Sequence, residues 1–399
     1  MQSIKLFRPA LSLRCTRPAS SSISRAFLSK TTSRYYAAEN TDRLKGPVPA
    51  DSKMQAIKNT IAENLGKIVP GAHELAPEGS RFSLEEVPDL TGKVAVVTGG
   101  SEGIGYGCTH TLLKHNISKL FIISIGEDVA ADAIKAIREE MGDEAANKVE
   151  WINCDLSDWE ATGQTALKIA QKTDRIDILI NDAARGIMTY QLSKSGVDLH
   201  MAINHFGHVV LTSHLLPILK KTADNGNTVR IVNLGSNIHE NSPKDTKFES
   251  LDELNTDIGP QPLYGRSKLA VILHAKYLAR HVTPQHPNLL VNATHPGIVE
   301  TRQSTEHIHE AYPLLGYGMS VLMNPFKKNQ FQGCVSTMFA ATKTEKSGRY
   351  ITPPAIVEQG SDKANDALLG EQLMDLTVKI IKEKTKASSV DKGCPFKTY

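Results

Sequence analysis

The sequence predicts a single doubly wound α/β domain built on a parallel sheet of about seven strands. Three observations carry this expectation. Short apolar runs of strand type alternate with longer helix-compatible segments from Lys93 onward. A glycine-rich turn, Thr98-Gly99-Gly100-Ser101-Glu102-Gly103-Ile104-Gly105, separates the first run from the first helix. No internal repeat is present, so the alternation belongs to one sheet rather than an array.

The elements follow in order. Val94–Val97 is the first strand, and a helix runs from Gly105 to His115. Leu120–Ile125 is the second strand, Val129–Met141 a helix, and Val149–Asn153 the third strand. Ala161–Lys172 is helical, Ile176–Ile180 is the fourth strand, and Ser195–Thr222 is largely helical. Val229–Leu234, Tyr264–His281 and Leu290–Thr294 continue the pattern as strand, helix and strand. Arg349–Ile351 makes a last strand and Gly370–Lys384 a last helix. Strands this uniformly apolar are covered on both faces, as in parallel sheets.

The glycine turn is the first chemical signal. A strand, a glycine-rich turn and a helix let the backbone approach a pyrophosphate, and the helix N-terminus offers unpaired N–H groups to it. The spacing is TGxxxGxG, not the commoner GxGxxG, and by itself it is only suggestive. The second signal is Tyr264-Gly265-Arg266-Ser267-Lys268. Tyr264 and Lys268 share one helix face. A free phenol ionises near ~10, and a neighbouring ammonium favours its phenolate, which makes Tyr264 a usable acid or base at an alcohol or carbonyl.

With these landmarks in this order, the chain resembles the short-chain dehydrogenase/reductase family from about Gly92 to Lys384. The other matching positions are Asp155 after the third strand, Asn181-Asp182-Ala183-Ala184 after the fourth, and Asn204 in a helix. Ser236 follows the fifth strand, and Pro296-Gly297 the sixth. The resemblance implies a Rossmann-type domain and a nicotinamide cofactor, NAD or NADP. It implies that Tyr264 exchanges the proton and that Ser236 holds the substrate oxygen. Lys268 would bind the nicotinamide ribose, and Asn204 would anchor a water linking Lys268 to solvent. Cofactor contacts are implied at Thr98, Gly99, Ser101, Glu102, Gly103, Ile104, Gly105, Asp155, Leu156, Asn181, Tyr264, Lys268, Pro296 and Gly297. The long insert between Ser236 and Tyr264, with His295-Pro296-Gly297, is similar to the retinol-dehydrogenase-like branch. The family also suggests a homodimer or homotetramer.

Two departures bear on the cofactor. The family's Asn-Asn-Ala-Gly is here Asn181-Asp182-Ala183-Ala184, which adds a methyl and a charge. Where NADP-preferring members carry a base, this chain has Glu102, Ser124 and Ile125. Glu127 is placed to reach a ribose. The balance favours NAD, while the branch resemblance allows NADP, and the choice stays open. The rival reading from another class is a non-catalytic NAD(P)-binding redox sensor or assembly factor. A nucleotide-sugar epimerase fits less well, because its first glycines are spaced GxxGxxG.

Leu314, Leu315, Tyr317, Met319, Val321, Leu322, Met323 and Phe326 form an apolar segment after Pro296-Gly297. It suits either a lid over a lipophilic alcohol or carbonyl substrate, or packing against a sheet edge. His307 and His309 lack carboxylate partners at ligand spacing, so no metal site is expected. His205, His208 and His239 are ambiguous, with His239 a candidate for lining the pocket. The scattered Cys15, Cys108, Cys154, Cys334 and Cys394 have no CxxC spacing and imply neither a disulfide framework nor zinc.

Hydrophobic residues make up 40% and charged residues 22% of the 399-residue chain, ordinary for a globular enzyme. No stretch reaches the ~18 apolar residues that span a bilayer. The net charge of +3 is uneven. Residues 1–38 contain Lys5, Arg8, Arg14, Arg17, Arg25, Lys30 and Arg34 and no acid. Beyond them acidic residues outnumber basic ones, so charge gives no support for a nucleic-acid partner.

The basic, serine-rich, acid-free segment 1–38 has the composition of a mitochondrial presequence, with Arg34-Tyr35-Tyr36-Ala37 resembling a processing site. Residues 39–90 read as a linker arm with an amphipathic helix from Asp51 or Ser52 to about Val69. Residues 91–386 are the catalytic-type domain and 387–399 a loose tail. Deleting residues 1–38 from a fluorescent fusion is expected to abolish mitochondrial import, read by microscopy. Unchanged localisation would refute the presequence assignment.

Overall fold

The computed structural model describes residues 82–297 and 329–385. The arm helix, the apolar segment 314–326, His307, His309, the presequence and the tail lie outside the described residues.

The sheet has eight strands in the order β3-β2-β1-β4-β5-β6-β7-β8. They are β1 (Val94–Thr98), β2 (Lys119–Ser124), β3 (Val149–Asn153), β4 (Ile178–Asn181), β5 (Val229–Leu234), β6 (Leu289–Thr294), β7 (Tyr350–Thr352) and β8 (Ile356–Glu358). The first seven run parallel, and β8 turns back antiparallel on β7. The sequence pattern anticipates the seven parallel strands. It misses β8, which is three residues long and offers no periodicity to read.

The longer helices among the described residues are α1 (Gly103–Lys114), α2 (Glu127–Asn147), α3 (Trp159–Lys172), α4 (His208–Asp224), α5 (Pro260–His281), α6 (Val335–Thr342) and α7 (Ala367–Lys384). α6 was not anticipated, because its short apolar run has no distinctive period. Alternate residues of each strand point to opposite faces. Val96, Phe121, Leu179, Ile231 and Val291 join a core with residues of α3, α4, α5 and α7. Ala95, Val97, Leu120, Ile122, Ile180 and Val232 join a second core with residues of α1, α2 and α6. Every residue of β1 and β4 is buried for this reason.

Local chemistry sets the helix starts. Asp158 caps α3 by accepting the Ala161 N–H at 3.0 Å, and Asp366 caps α7 through Leu369 N–H at 3.0 Å. Pro260 opens α5, where its missing N–H costs nothing. α4 is entered through a π-helical segment, Ala202–Gly207. Such segments carry an extra residue per turn and re-aim the side chains around them. Gly207 closes it against the loop after β3, where a Cβ would stand 2.3 Å from the Leu156 carbonyl oxygen.

The chain passes from β1 out to β2 and β3, then returns to β4 on the other side of β1. This reversal opens a crevice at the carboxyl ends of β1 and β4, the usual place for a ligand in such sheets. The register brings the landmark residues to that edge: Thr98 pairs with Asn181, and Asn181 with Asn233.

Gly207→Ala is expected to destabilise the domain by about 1–3 kcal/mol, because the clash is with backbone and not with a flexible side chain. The urea midpoint should fall with the slope unchanged, and an unaltered midpoint would contradict this packing.

Candidate active site

The glycine turn is folded tightly over the loop that follows β4. Gly99 has φ +69°, and its N–H donates to the Ile123 carbonyl at 2.7 Å. A Cβ on Gly105 would stand 2.2 Å from the Gly99 oxygen and 2.8 Å from Asp182 Oδ2. No side chain fits there, so α1 starts directly against the turn. Thr98 sits beneath it. Its hydroxyl accepts the N–H groups of Asp182 at 2.9 Å and Ala183 at 3.0 Å, and pairs with His208 Nε2 at 2.9 Å.

The other nitrogen of His208 settles the direction of that bond. Nδ1 lies 3.1 Å from the Asn204 carbonyl oxygen, which can only accept. Nδ1 therefore carries the proton, and Thr98 donates to Nε2. Burial lowers the His208 pKa to about 4, so the ring is neutral. His208 thus links the turn to the segment holding Asn204. Sequence reasoning left it ambiguous, and the only available signal was its fourth place after Asn204 in a helical stretch.

At the outer end of the turn, Ser101 Oγ donates to Ser124 Oγ at 2.8 Å, and Trp151 Nε1–H donates to the same oxygen at 3.0 Å. Ser124 keeps its own proton to donate. Glu102 is the N-cap of α1, Gly103 its first residue with φ +56°, and Ile104 is half-buried. Ile125 is 66% exposed just beyond β2. Asp155 is exposed, its carboxylate accepting the Ser157 N–H at 2.8 Å, while Leu156 is buried under Gly207. Asn181 donates to Thr212 Oγ1 at 3.1 Å and Asn233 Oδ1 at 2.8 Å. Its own Oδ1 is buried with no hydrogen-bond partner. Pro296 is half-buried, and Gly297, with φ +78°, donates its N–H to His295 Nδ1 at 3.0 Å.

The four candidate catalytic residues converge on α5. Lys268 is 2% exposed and its Nζ donates to the Leu234 carbonyl at 2.7 Å, just before Ser236. It lies 5.7 Å from the centroid of the Tyr264 ring. Ser236 is the side-chain hydrogen-bond partner of Tyr264. Asn204 donates to Ser267 Oγ at 2.9 Å and to the Arg185 carbonyl at 3.0 Å, and its Oδ1 accepts the Arg185 N–H at 2.7 Å. Ser267 in turn donates to the Tyr264 carbonyl at 2.7 Å. Asn204 therefore fixes the loop after β4 against α5.

The electrostatics differ from the expectation of a lowered phenol. Burial pushes Tyr264 up to about 12; the Ser236 hydrogen bond pulls it down, and the charge of Asp182 pushes it further up. Burial also lowers Lys268 to about 8 against the opposing pull of Asp182. Asp182 is itself raised to about 7, by burial against the pull of Lys268 and the Gly105 N–H.

Two supporting contacts were not legible in the sequence. His239 does not line the pocket: Nδ1–H donates to the Ser236 carbonyl at 2.6 Å and Nε2 accepts the Ser361 N–H at 3.1 Å. It braces the Ser236 loop. The insert before α5 is tied by Arg266, which donates to the carbonyls of Glu253 and Leu254, each at 2.6 Å.

These residues fit a dinucleotide. A helix N-terminus stands at the turn, Ser124 has a proton for a ribose oxygen, and the Lys268 ammonium keeps donors beyond the one spent on Leu234. Known proteins point the same way. The model of the short chain dehydrogenase family matches residues 93–246. The chain is 49% identical over 393 residues to the oxidoreductase bli-4 of Neurospora crassa, a protein named as mitochondrial, covering 97% of this chain and 92% of that one. It is 29% identical over 273 residues to a polyprenol dehydrogenase of Danio rerio, covering 67% and 79%. A solved structure of an uncharacterized protein from Mycobacterium paratuberculosis superposes with a TM-score of 0.58 at 22% identity, over 75% of this chain and 97% of that one. With the sheet order, the glycine turn and these relatives in agreement, the chain belongs to the short-chain dehydrogenase/reductase family and is an NAD(P)-dependent oxidoreductase.

Proposed function

We propose that the protein interconverts a lipophilic alcohol and its carbonyl compound, with Tyr264 as the proton-exchanging group, and that it works in mitochondria. The observation that carries this reading is the Tyr264 hydroxyl, hydrogen-bonded to Ser236 and standing one helical turn from Lys268. The nicotinamide ring, when bound, supplies or accepts the hydride. In reduction, the Ser236 hydroxyl donates to the carbonyl oxygen and holds it beside Tyr264. Tyr264 then gives up its proton to that oxygen. The buried ammonium of Lys268 offsets the charge that develops on the phenol. Asn204 acts through Ser267 and the Arg185 backbone to keep the tyrosine turn in place.

Two independent features support a lipophilic substrate: the apolar sequence 314–326 and the name of the Danio rerio relative, a polyprenol dehydrogenase. The presequence composition and the name of the Neurospora crassa relative support mitochondria. Around Ser124 the residues Glu102, Ile125 and Glu127 offer no cation for a 2′-phosphate, which supports NAD over NADP.

Tyr264→Phe is expected to lower turnover by ~10²–10⁴-fold while cofactor binding survives, since the phenol is the acid and base. In the native enzyme the phenol is raised and stays protonated through neutral pH. Carbonyl reduction should therefore be level across that range, while alcohol oxidation, which needs phenolate, should climb with rising pH. Retained turnover in Tyr264→Phe, or an oxidation rate that falls with pH, would sink the mechanism. For the substrate class, kcat/KM across a series of straight-chain aldehydes should rise about threefold to fourfold per added CH₂ until the pocket is filled, as burial of ~0.8 kcal/mol per CH₂ requires. A flat series would refute the lipophilic assignment.

A further inference from the structure

Asp182 is an acid set against the glycine turn. Its residue is 9% exposed. Oδ2 lies against the turn, 3.2 Å from where a Gly99 Cβ would stand and 2.8 Å from that of Gly105. The carboxylate accepts the Gly105 N–H, in the first turn of α1. It therefore occupies the positive end of the helix, where an anion is stabilised. Oδ1 is buried with no hydrogen-bond partner. The backbone beneath it is held by Thr98, which accepts the N–H of Asp182 and of Ala183.

A pyrophosphate brought to the same helix end would meet this carboxylate. Two anions sharing one buried site do not both stay ionised. We infer that Asp182 takes up a proton from solvent when the dinucleotide binds, with the unpartnered Oδ1 free to carry it. This rests on the reading that the glycine turn holds the pyrophosphate. The groups facing Asp182 agree. From α5 come Lys268, which opposes its burial, and Tyr264; from α1 comes Cys108, a buried thiol pushed up; behind Thr98, which holds the Asp182 N–H, His208 is neutral. Among the described residues Lys268 is the cation that favours the charged carboxylate, and a bound ribose would compete for that ammonium. The proton also matters for the chemistry. Ionised Asp182 raises the Tyr264 phenol, so neutralising it on binding removes one opponent of proton release. Apo enzyme would store the phenol proton more firmly than the loaded enzyme does.

The test is infrared difference spectroscopy of the full chain at pH 8, with and without saturating NADH, and with NADPH in parallel. Asp182, free at about 7, is mostly ionised there before binding. Binding should bring up the carbonyl stretch of a protonated carboxylic acid, shifted in heavy water and by ¹³C-carboxyl aspartate. Asp182→Asn should lose this band while binding either dinucleotide by fluorescence titration. The affinity of the native protein should fall from pH 7 to 9 by a factor approaching ~10 per pH unit, as linkage to one proton requires. Because Lys268 also titrates near 8, the band and not the affinity assigns the proton to Asp182. Native protein that binds a dinucleotide without the band would overturn the inference and leave the dinucleotide site standing, as would a band that persists in Asp182→Asn. Failure of native protein to bind either dinucleotide would overturn the site reading and this inference together. If Asp182→Asn does not fold, Asp182→Glu takes its place: in protein labelled with ¹³C-carboxyl aspartate its band should lose the isotope shift, and a band that still shifts would overturn the inference.

Discussion

The Thr98 hydroxyl is the contact on which the carboxyl edge of the sheet depends. It accepts two consecutive N–H groups from the loop after β4 and donates to His208, which donates onward to the segment of Asn204. Thr98 is the last residue of β1, paired on one side with Ile123 and on the other with Asn181. One side chain thus sets the distance between the glycine turn and the loop that Asn204 holds against α5. Its hydrogen-bonding capacity is fully used, and it is wholly buried. A replacement that cannot both accept and donate would leave buried backbone donors unpaired, a cost larger than the bond itself.

Burial, more than charge pairing, governs the ionisable groups of this edge. It drives His205, His208 and His274 neutral, lowers Lys268 and raises Tyr264 and Asp182. A dry site makes each remaining charge count for more, because little solvent screens it. Lys268 and Asp182 hold each other charged against that trend. An Asn at position 182 would leave Lys268 without this partner and Tyr264 without this opponent. The substitution from the family pattern therefore acts on the electrostatics of the tetrad and not only on the fit of the turn.

Tyr264, the proposed acid and base, sits on a helix whose position is fixed by residues at its rear and flanks. Asn204 holds α5 through Ser267 and holds the loop after β4 through Arg185. His239 fixes the Ser236 loop from behind. Arg266, inside the Tyr264–Lys268 turn, pins the preceding insert by two carbonyls, and Glu253 in that insert accepts the N–H groups of Lys247, Phe248 and Glu249. The insert is long but not loose, because its backbone donors are closed by its own acid.

What the sequence determined by itself is what local pattern encodes. Apolar strand runs located seven strands, and the glycine spacing and the Tyr264–Lys268 interval marked two local motifs. Each of these signals lies within a few residues, so periodicity and motif suffice; Ser236 and Asn204 came only from the family resemblance. The tertiary structure decided the rest, because it depends on which groups are brought together across long stretches of chain. His208 becomes a link only when β1 lies beneath α4, and His239 becomes a brace only when Ser361 reaches it. The Tyr264 phenol stands high and not low because burial outweighs the Ser236 hydrogen bond and the charge of Asp182 adds to it. Asp182 looks in the sequence like a small departure from Asn. Only the fold shows it buried at a helix end, with one oxygen unpartnered, where charge and desolvation oppose each other.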